Sequence, residues 1–150
     1  MHTQCEVIEY PDRPMLSVRT RAGVQDLPRV LGDIYGRIMV YLGEVKTQPT
    51  GMPFVIYYNM DMSNLDIEVG FEAPNGLSGK EDIQAGKIPA GKVVSLIYTG
   101  PYEECGPAYE AMGKWMIENN LDGTGVVIEF YLNDPQVDPP AQTRIEMLIK

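Results

Sequence analysis

The chain has 150 residues, 44% of them hydrophobic, which suits one domain able to bury roughly 70% of its unfolded surface without disulfide or metal. Twelve Lys plus Arg against 21 Asp plus Glu leave a formal charge of −9, the wrong sign for affinity that comes from neutralising phosphates, so no direct nucleic-acid partner is expected. The start, Met-His-Thr-Gln-Cys-Glu, has neither the basic nor the apolar run of a signal peptide, and no later stretch approaches the length of a membrane span; a cytoplasmic protein with no membrane partner is expected.

Residues 15–21 alternate well enough for a first strand, and after Gly23 the spacing turns helical. Leu27, Val30, Leu31, Ile34, Ile38 and Leu42 form the apolar stripe of that helix, with Asp26 as its N-cap, Pro28 in its first turn and Gly43 at its stop. Gly32 and Gly36 lie one turn apart within it, which predicts a face packed closely on a sheet. Two strand-like runs follow, 53–59 and 64–71, separated by the turn-rich 60–63. Residues 72–92, rich in Gly, Pro and charge, read as a long surface connection that Ile83 and Ile88 could fasten to the body. The order then repeats: strand 93–99, helix 102–119 with Tyr109, Met112 and Met116 as its apolar stripe, strand 126–132 and strand 143–149. The fold class is therefore α+β, one domain over 1–150 with repeat halves at about 1–75 and 90–150.

Side chains alternate along a strand, so Val126, Ile128, Phe130 and Leu132 are expected to form core while Val127, Glu129 and Tyr131 point the other way. The same division puts Leu65, Ile67, Val69 and Phe71 toward the helices, with Asp66 and Glu68 opposite, and sets Arg144, Glu146 and Leu148 against Ile145, Met147 and Ile149. Glu68, Glu129 and Glu146 thus share the face away from the helices. That face is either wet, with its glutamates paired to Arg144 or water, or a binding surface. Val127, Tyr131 and Leu148 share it, and Tyr98 and Tyr58 lie on neighbouring strands of unfixed facing. A carboxylate among aromatics is what recognition of a lipophilic cation requires, and burial would raise the pKa of Glu129 enough to make it a candidate base.

Other chemistries have little to stand on. Cys5 and Cys105 lie far apart with no Cys-x-x-Cys spacing and read as free thiols; His2 is the only histidine, so a Ser/His/Asp arrangement, a His-rich metal site and an axial haem ligand are all disfavoured. No glycine cluster has the spacing of a phosphate loop. No cofactor and no metal are expected. Trp115 fits a core aromatic better than a pocket residue, and Met39, Met52, Met60 and Met62 read as gap fillers and loop residues.

The segments Tyr98-Thr99-Gly100-Pro101-Tyr102, Gly113-Lys114-Trp115, Glu129-Phe130-Tyr131-Leu132-Asn133-Asp134-Pro135 and Arg144-Ile145-Glu146-Met147 resemble, in order and spacing, the GyrI-like (gyrase-inhibitor-like) family, which includes drug-binding domains of multidrug-responsive bacterial transcription regulators. Pro53-Phe54-Val55-Ile56-Tyr57-Tyr58 and Asp66-Ile67-Glu68-Val69-Gly70-Phe71 extend the resemblance over almost the whole chain. It implies two pseudo-symmetric strand-helix-strand-strand modules, a curved antiparallel platform with two helices on one face, and a ligand cleft between the halves. It places Glu129 at the pocket centre and Tyr102 from the Gly-x-Tyr turn beside it, with Tyr131, Tyr58 and Glu146 added by position and Tyr98 and Trp115 as further ligand-binding candidates. The regulators' helix-turn-helix is not present, so a stand-alone module that binds hydrophobic, often cationic, small molecules is expected, as a monomer or weak dimer. Two alternatives follow from the same resemblance: a hydrolase of strained electrophiles such as cyclopropanoids, with Glu129 directing water beside Tyr102 and Trp115, and a protein that interacts with DNA gyrase.

Overall fold

Both predicted helices and all six predicted strands form, and two short strands join them. The computed structural model describes Met1–Lys150 as β1 (Glu6–Tyr10), β2 (Arg13–Ala22), α1 (Leu27–Glu44), β3 (Pro53–Tyr57), β4 (Leu65–Glu72), β5 (Gln84–Ile88), β6 (Gly91–Thr99), α2 (Gly106–Glu118), β7 (Gly123–Tyr131) and β8 (Gln142–Ile149). The class is α+β, in two compact units: Asp12–Pro89, and Met1–Pro11 together with Ala90–Lys150.

In the Asp12–Pro89 unit the antiparallel order is β3-β4-β2-β5. Leu65, Ile67 and Val69 alternate with Asp66 and Glu68 along β4, and the apolar set is buried. The helix α1 packs on β4 and β2 and buries Ile34, Ile38, Tyr41 and Leu42, while Tyr35 meets Phe71 edge-on at 5.3 Å. A short 3₁₀ turn, Val24–Asp26, leads into it; Asp26 occupies the N-cap position without a side-chain capping bond, and the helix runs one residue past Gly43. Gly32 and Gly36 do not pack on the sheet. A Cβ at either would meet nothing within 4 Å, and both line an open groove of about 480 Å³ with Val40 and Lys80. The stripe was right, but these glycines lie on the opposite side of the helix.

In the other unit the order is β1-β6-β8-β7. Val94, Leu96, Tyr98, Val127 and Ile145 build a core with Ala108, Met112 and Met116 of α2. Residues 102–104, predicted helical, form a separate 3₁₀ turn, because Pro107 supports a helix start near Gly106 and not a turn earlier.

The strands missing from the sequence reading are the edge strands, and they are exchanged. β1 directly precedes β2 but pairs with β6; β5 directly precedes β6 but pairs with β2. Residues 72–92 are thus not all connection, and Ile83 and Ile88 are buried at 6% and 1% as anchors. The chain crosses between units at Pro11–Asp12 and at Pro89–Ala90. Pro11 and Ser17 have the same spacing as Pro89 and Ser95, and both serines are buried. With those serines matched, Gly70 stands opposite Ser17 where Glu146 stands opposite Ser95. Ile67-Glu68 and Ile145-Glu146, although alike in sequence, therefore stand two residues out of register. Gly70 is also a close approach: a Cβ there would lie 2.0 Å from the Leu16 carbonyl oxygen.

Two glycine replacements should then move stability in opposite directions. Gly70→Ala forces the β2 backbone to shift and should cost about 1–3 kcal/mol, whereas Gly36→Ala fills open space on a helix and should gain about 0.5–1 kcal/mol. Urea titration of the two variants checks both signs; equal effects would contradict these backbone environments.

Candidate functional site

Glu129 stands opposite Ile145 in the β7–β8 ladder, and Ile145 stands opposite Leu96. Leu96 and Ile145 belong to the core beneath α2, so Glu129 faces that helix and not away from it as the alternation had suggested. The reason is that β7 is buried on both faces: Ile128 and Phe130 are 1% and 0% exposed on one, Val127 5% on the other. Apolar-in, polar-out has no unique solution for such a strand. Glu146 does lie on the far face, as does Glu68 in its own unit, so the three glutamates do not share a face.

Around Glu129 the geometry is tyrosine-rich. Tyr109 of α2 donates its hydroxyl to Glu129 Oε2, and Tyr131 donates to Oε1 at 3.0 Å. The Tyr102 ring meets that of Tyr131 edge-on, with centroids 5.4 Å apart and planes at 73°, and is itself 43% exposed. Such a pair is attractive through the ring quadrupoles. The turn that delivers Tyr102 is set by Gly100, whose φ of +144° is open to glycine, and by the Tyr98 hydroxyl, which donates to the Pro101 carbonyl at 2.8 Å. Tyr98 is 4% exposed and serves as the strut of that turn.

The remaining sequence candidates separate. Trp115 is partly buried against the core beneath α2, in keeping with the core reading. Glu146 is fully buried, accepts from Arg144 Nε at 3.0 Å, and that guanidinium lies 4.3 Å above the Phe130 ring. Tyr58 belongs to the Asp12–Pro89 unit, where its hydroxyl donates to Glu68 Oε1 at 2.6 Å while Ser17 Oγ donates to Oε2 at 2.5 Å. Arg19 stacks 3.7 Å above the Tyr58 ring and holds Asp66 through bonds of 2.7 and 2.9 Å, which keep that carboxyl below its ordinary range. Tyr109, by contrast, shows in the sequence only as part of an apolar stripe; a phenol has an apolar body and a polar tip, and periodicity registers only the body.

Electrostatically the Glu129 cluster is negative and its phenols are donors. Burial, then Asp134 and Glu129, push the Tyr102 phenol above its ordinary value, and burial followed by the Glu129 charge does the same to the Cys105 thiol at the start of α2. No three of the His, Cys, Asp and Glu side chains converge as a metal site, and no helix is long and apolar enough to cross a membrane.

A family model described as the GyrI-like small molecule binding domain matches residues 3–150. No curated protein matches the chain closely in sequence. Among solved structures, the chain is similar to EcmrR in an EcmrR–DNA complex, with a TM-score of 0.80 and 19% identity over 98% of this chain and 57% of EcmrR. It thus spans little more than half of that protein, and the C-terminal domain of EcmrR alone matches with a TM-score of 0.75 and 21% identity over 98% of this chain and 97% of the domain. A hydrolase from Listeria innocua matches with a TM-score of 0.67 and 14% identity, over 98% and 92% of the two chains. SAV2435 bound to tetraphenylphosphonium matches with a TM-score of 0.65 and 9% identity, over 99% and 94%. At these identities the likeness is one of fold.

Cys105 offers a reporter of the Glu129 charge. Because that charge helps hold the thiol above its ordinary value, Glu129→Gln should lower the thiol pKa, enlarge the thiolate fraction at pH 8 and speed alkylation. Iodoacetamide kinetics in a Cys5→Ser background, followed by intact mass, should show faster labelling in the variant; an unchanged rate would mean that the carboxylate does not act on Cys105.

Proposed function

Since the chain belongs to the GyrI-like small-molecule-binding domain family, we propose that Glu129, Tyr102, Tyr109 and Tyr131 form its ligand site and that the ligand is a hydrophobic cation. The observation that carries this reading is a carboxylate on the helix-facing side of a sheet whose donors are two phenols, with a third, exposed tyrosine ring against one of them. Rings supply cation–π attraction and apolar area, and the carboxylate supplies charge in a partly dry setting. Exposed Glu103, Glu104 and Asp134 flank Tyr102 in sequence or act on it electrostatically, and they add to a negative field that draws cations inward. Tetraphenylphosphonium, bound by SAV2435, is a natural first probe.

The hydrolase reading has weaker support. The two tyrosines each donate to one Glu129 oxygen, so an attacking water would have to share the carboxylate with both phenols. Trp115, the aromatic assigned beside the water in that reading, packs with the core beneath α2.

Tetraphenylphosphonium at about one hundred times its Kd should stabilise the protein by about 2.7 kcal/mol, a rise of several degrees in Tm. Glu129→Gln should weaken that binding at least tenfold while leaving triphenylphosphine oxide, neutral and of similar shape, unchanged. Calorimetric titration of both probes decides the matter: equal weakening of the two would remove charge recognition from the site.

A further inference from the structure

Thr143 lies between Tyr98 of β6 and Tyr131 of β7 in one rung of the sheet, on the same face as Glu129. It is 3% exposed, and its Oγ1 is buried with no hydrogen-bond partner. The flanking hydroxyls are directed elsewhere, Tyr98 to the Pro101 carbonyl and Tyr131 to Glu129. An orphaned buried hydroxyl is uncommon and unfavourable, and valine would give the strand the same shape without it. Its position beside the tyrosine that holds Glu129 gives the hydroxyl a use.

We infer that Thr143 is a specificity-determining residue of the Glu129 site, selecting cations that carry a second hydrogen-bonding group. The inference rests on the cation-site reading of Glu129 and refines it to a ligand class. Thr143 is the direct partner of Tyr131, so it is a diagonal neighbour of Glu129, roughly 7–8 Å away along the same face. The fitting ligand is an aromatic or lipophilic ammonium with a hydroxyl or carbonyl about that far from the charge. Tyr131, the partner of Thr143, is the tyrosine that the exposed Tyr102 ring packs against. A quaternary phosphonium has no group for the Thr143 hydroxyl, and its affinity is indifferent to it.

The test uses tyramine and phenethylamine, which differ by one hydroxyl at the far end from the ammonium, with tetraphenylphosphonium as reference, titrated by ligand-observed NMR. The wild-type protein should prefer tyramine by about three- to tenfold. Thr143→Val should erase that preference, leave tetraphenylphosphonium affinity unchanged and leave Tm equal or higher, while Thr143→Ser keeps the preference. No preference in the wild type, a preference retained in Thr143→Val, or a loss of all three probes together would overturn the assignment. Failure of tetraphenylphosphonium to bind the wild type would sink the Glu129 reading itself, and this inference with it. Should Thr143→Val not fold, the wild-type preference and the serine variant still decide.

Discussion

A carboxyl group on the helix-covered side of a sheet has to bring hydrogen-bond donors with it, since stripping it of water without replacement costs several kcal/mol. Glu129 draws its donors from two elements, Tyr109 on α2 and Tyr131 on its own strand. That requirement fixes the phase of α2: the turn that carries Tyr109 must face β7, and the rest of the helix then lays Met112 and Met116 on Val94, Leu96 and Ile145. The entry to the helix is fixed in turn by Gly100 and the Tyr98–Pro101 bond, which leave Tyr102 against Tyr131. The Glu129 contacts and the Tyr98–Pro101 bond together arrange the helix, the turn before it and the aromatics around the carboxylate.

The other two glutamates of interest lie beside guanidinium groups. Near Glu146 the chain supplies Arg144, stacked on Phe130; near Glu68 it supplies Arg19, stacked on Tyr58 and paired with Asp66. Each combines an aromatic face, a carboxylate and a guanidinium from the same unit. Glu129 accepts from phenols, one of them in contact with an exposed ring. In chemical terms the arginine-bearing clusters are models, built from the protein's own side chains, of the contacts proposed between Glu129 and a cationic ligand.

Much of this was legible in the residues. The period-3.6 stripe ending at Leu42 and the two-fold alternation from Leu65 to Phe71 each place a one-sided element, and both place it correctly. The resemblance of the Tyr98–Tyr102 and Glu129–Pro135 segments drew attention to a turn and a strand whose tyrosines meet, Tyr102 against Tyr131. Facing was lost at β7, where buried residues on both sides left the alternation ambiguous, and only the ladder to β8 decides it. Short charged edge strands were also beyond reach. Glu6–Tyr10 and Gln84–Ile88 have little alternation of their own, and each is held by a partner distant in sequence. Thr143 gave no signal because an unsatisfied hydroxyl is a property of surroundings, not of sequence.

The exchange of β1 and β5 bears on how such a chain could arise. Each repeat, taken with the strand before it, is a five-element unit whose first strand pairs outside the unit: β1 with β6, β5 with β2. A lone copy would be left with an unpaired strand and an uncovered ladder, both exposed to aggregation. Two separate copies lending each other that strand would satisfy both ladders at once, as a swapped dimer of identical short chains does. Gene fusion would replace a concentration-dependent association with a covalent tether. Once the copies are joined, symmetry no longer binds them, and only the second needs to place a glutamate under its helix.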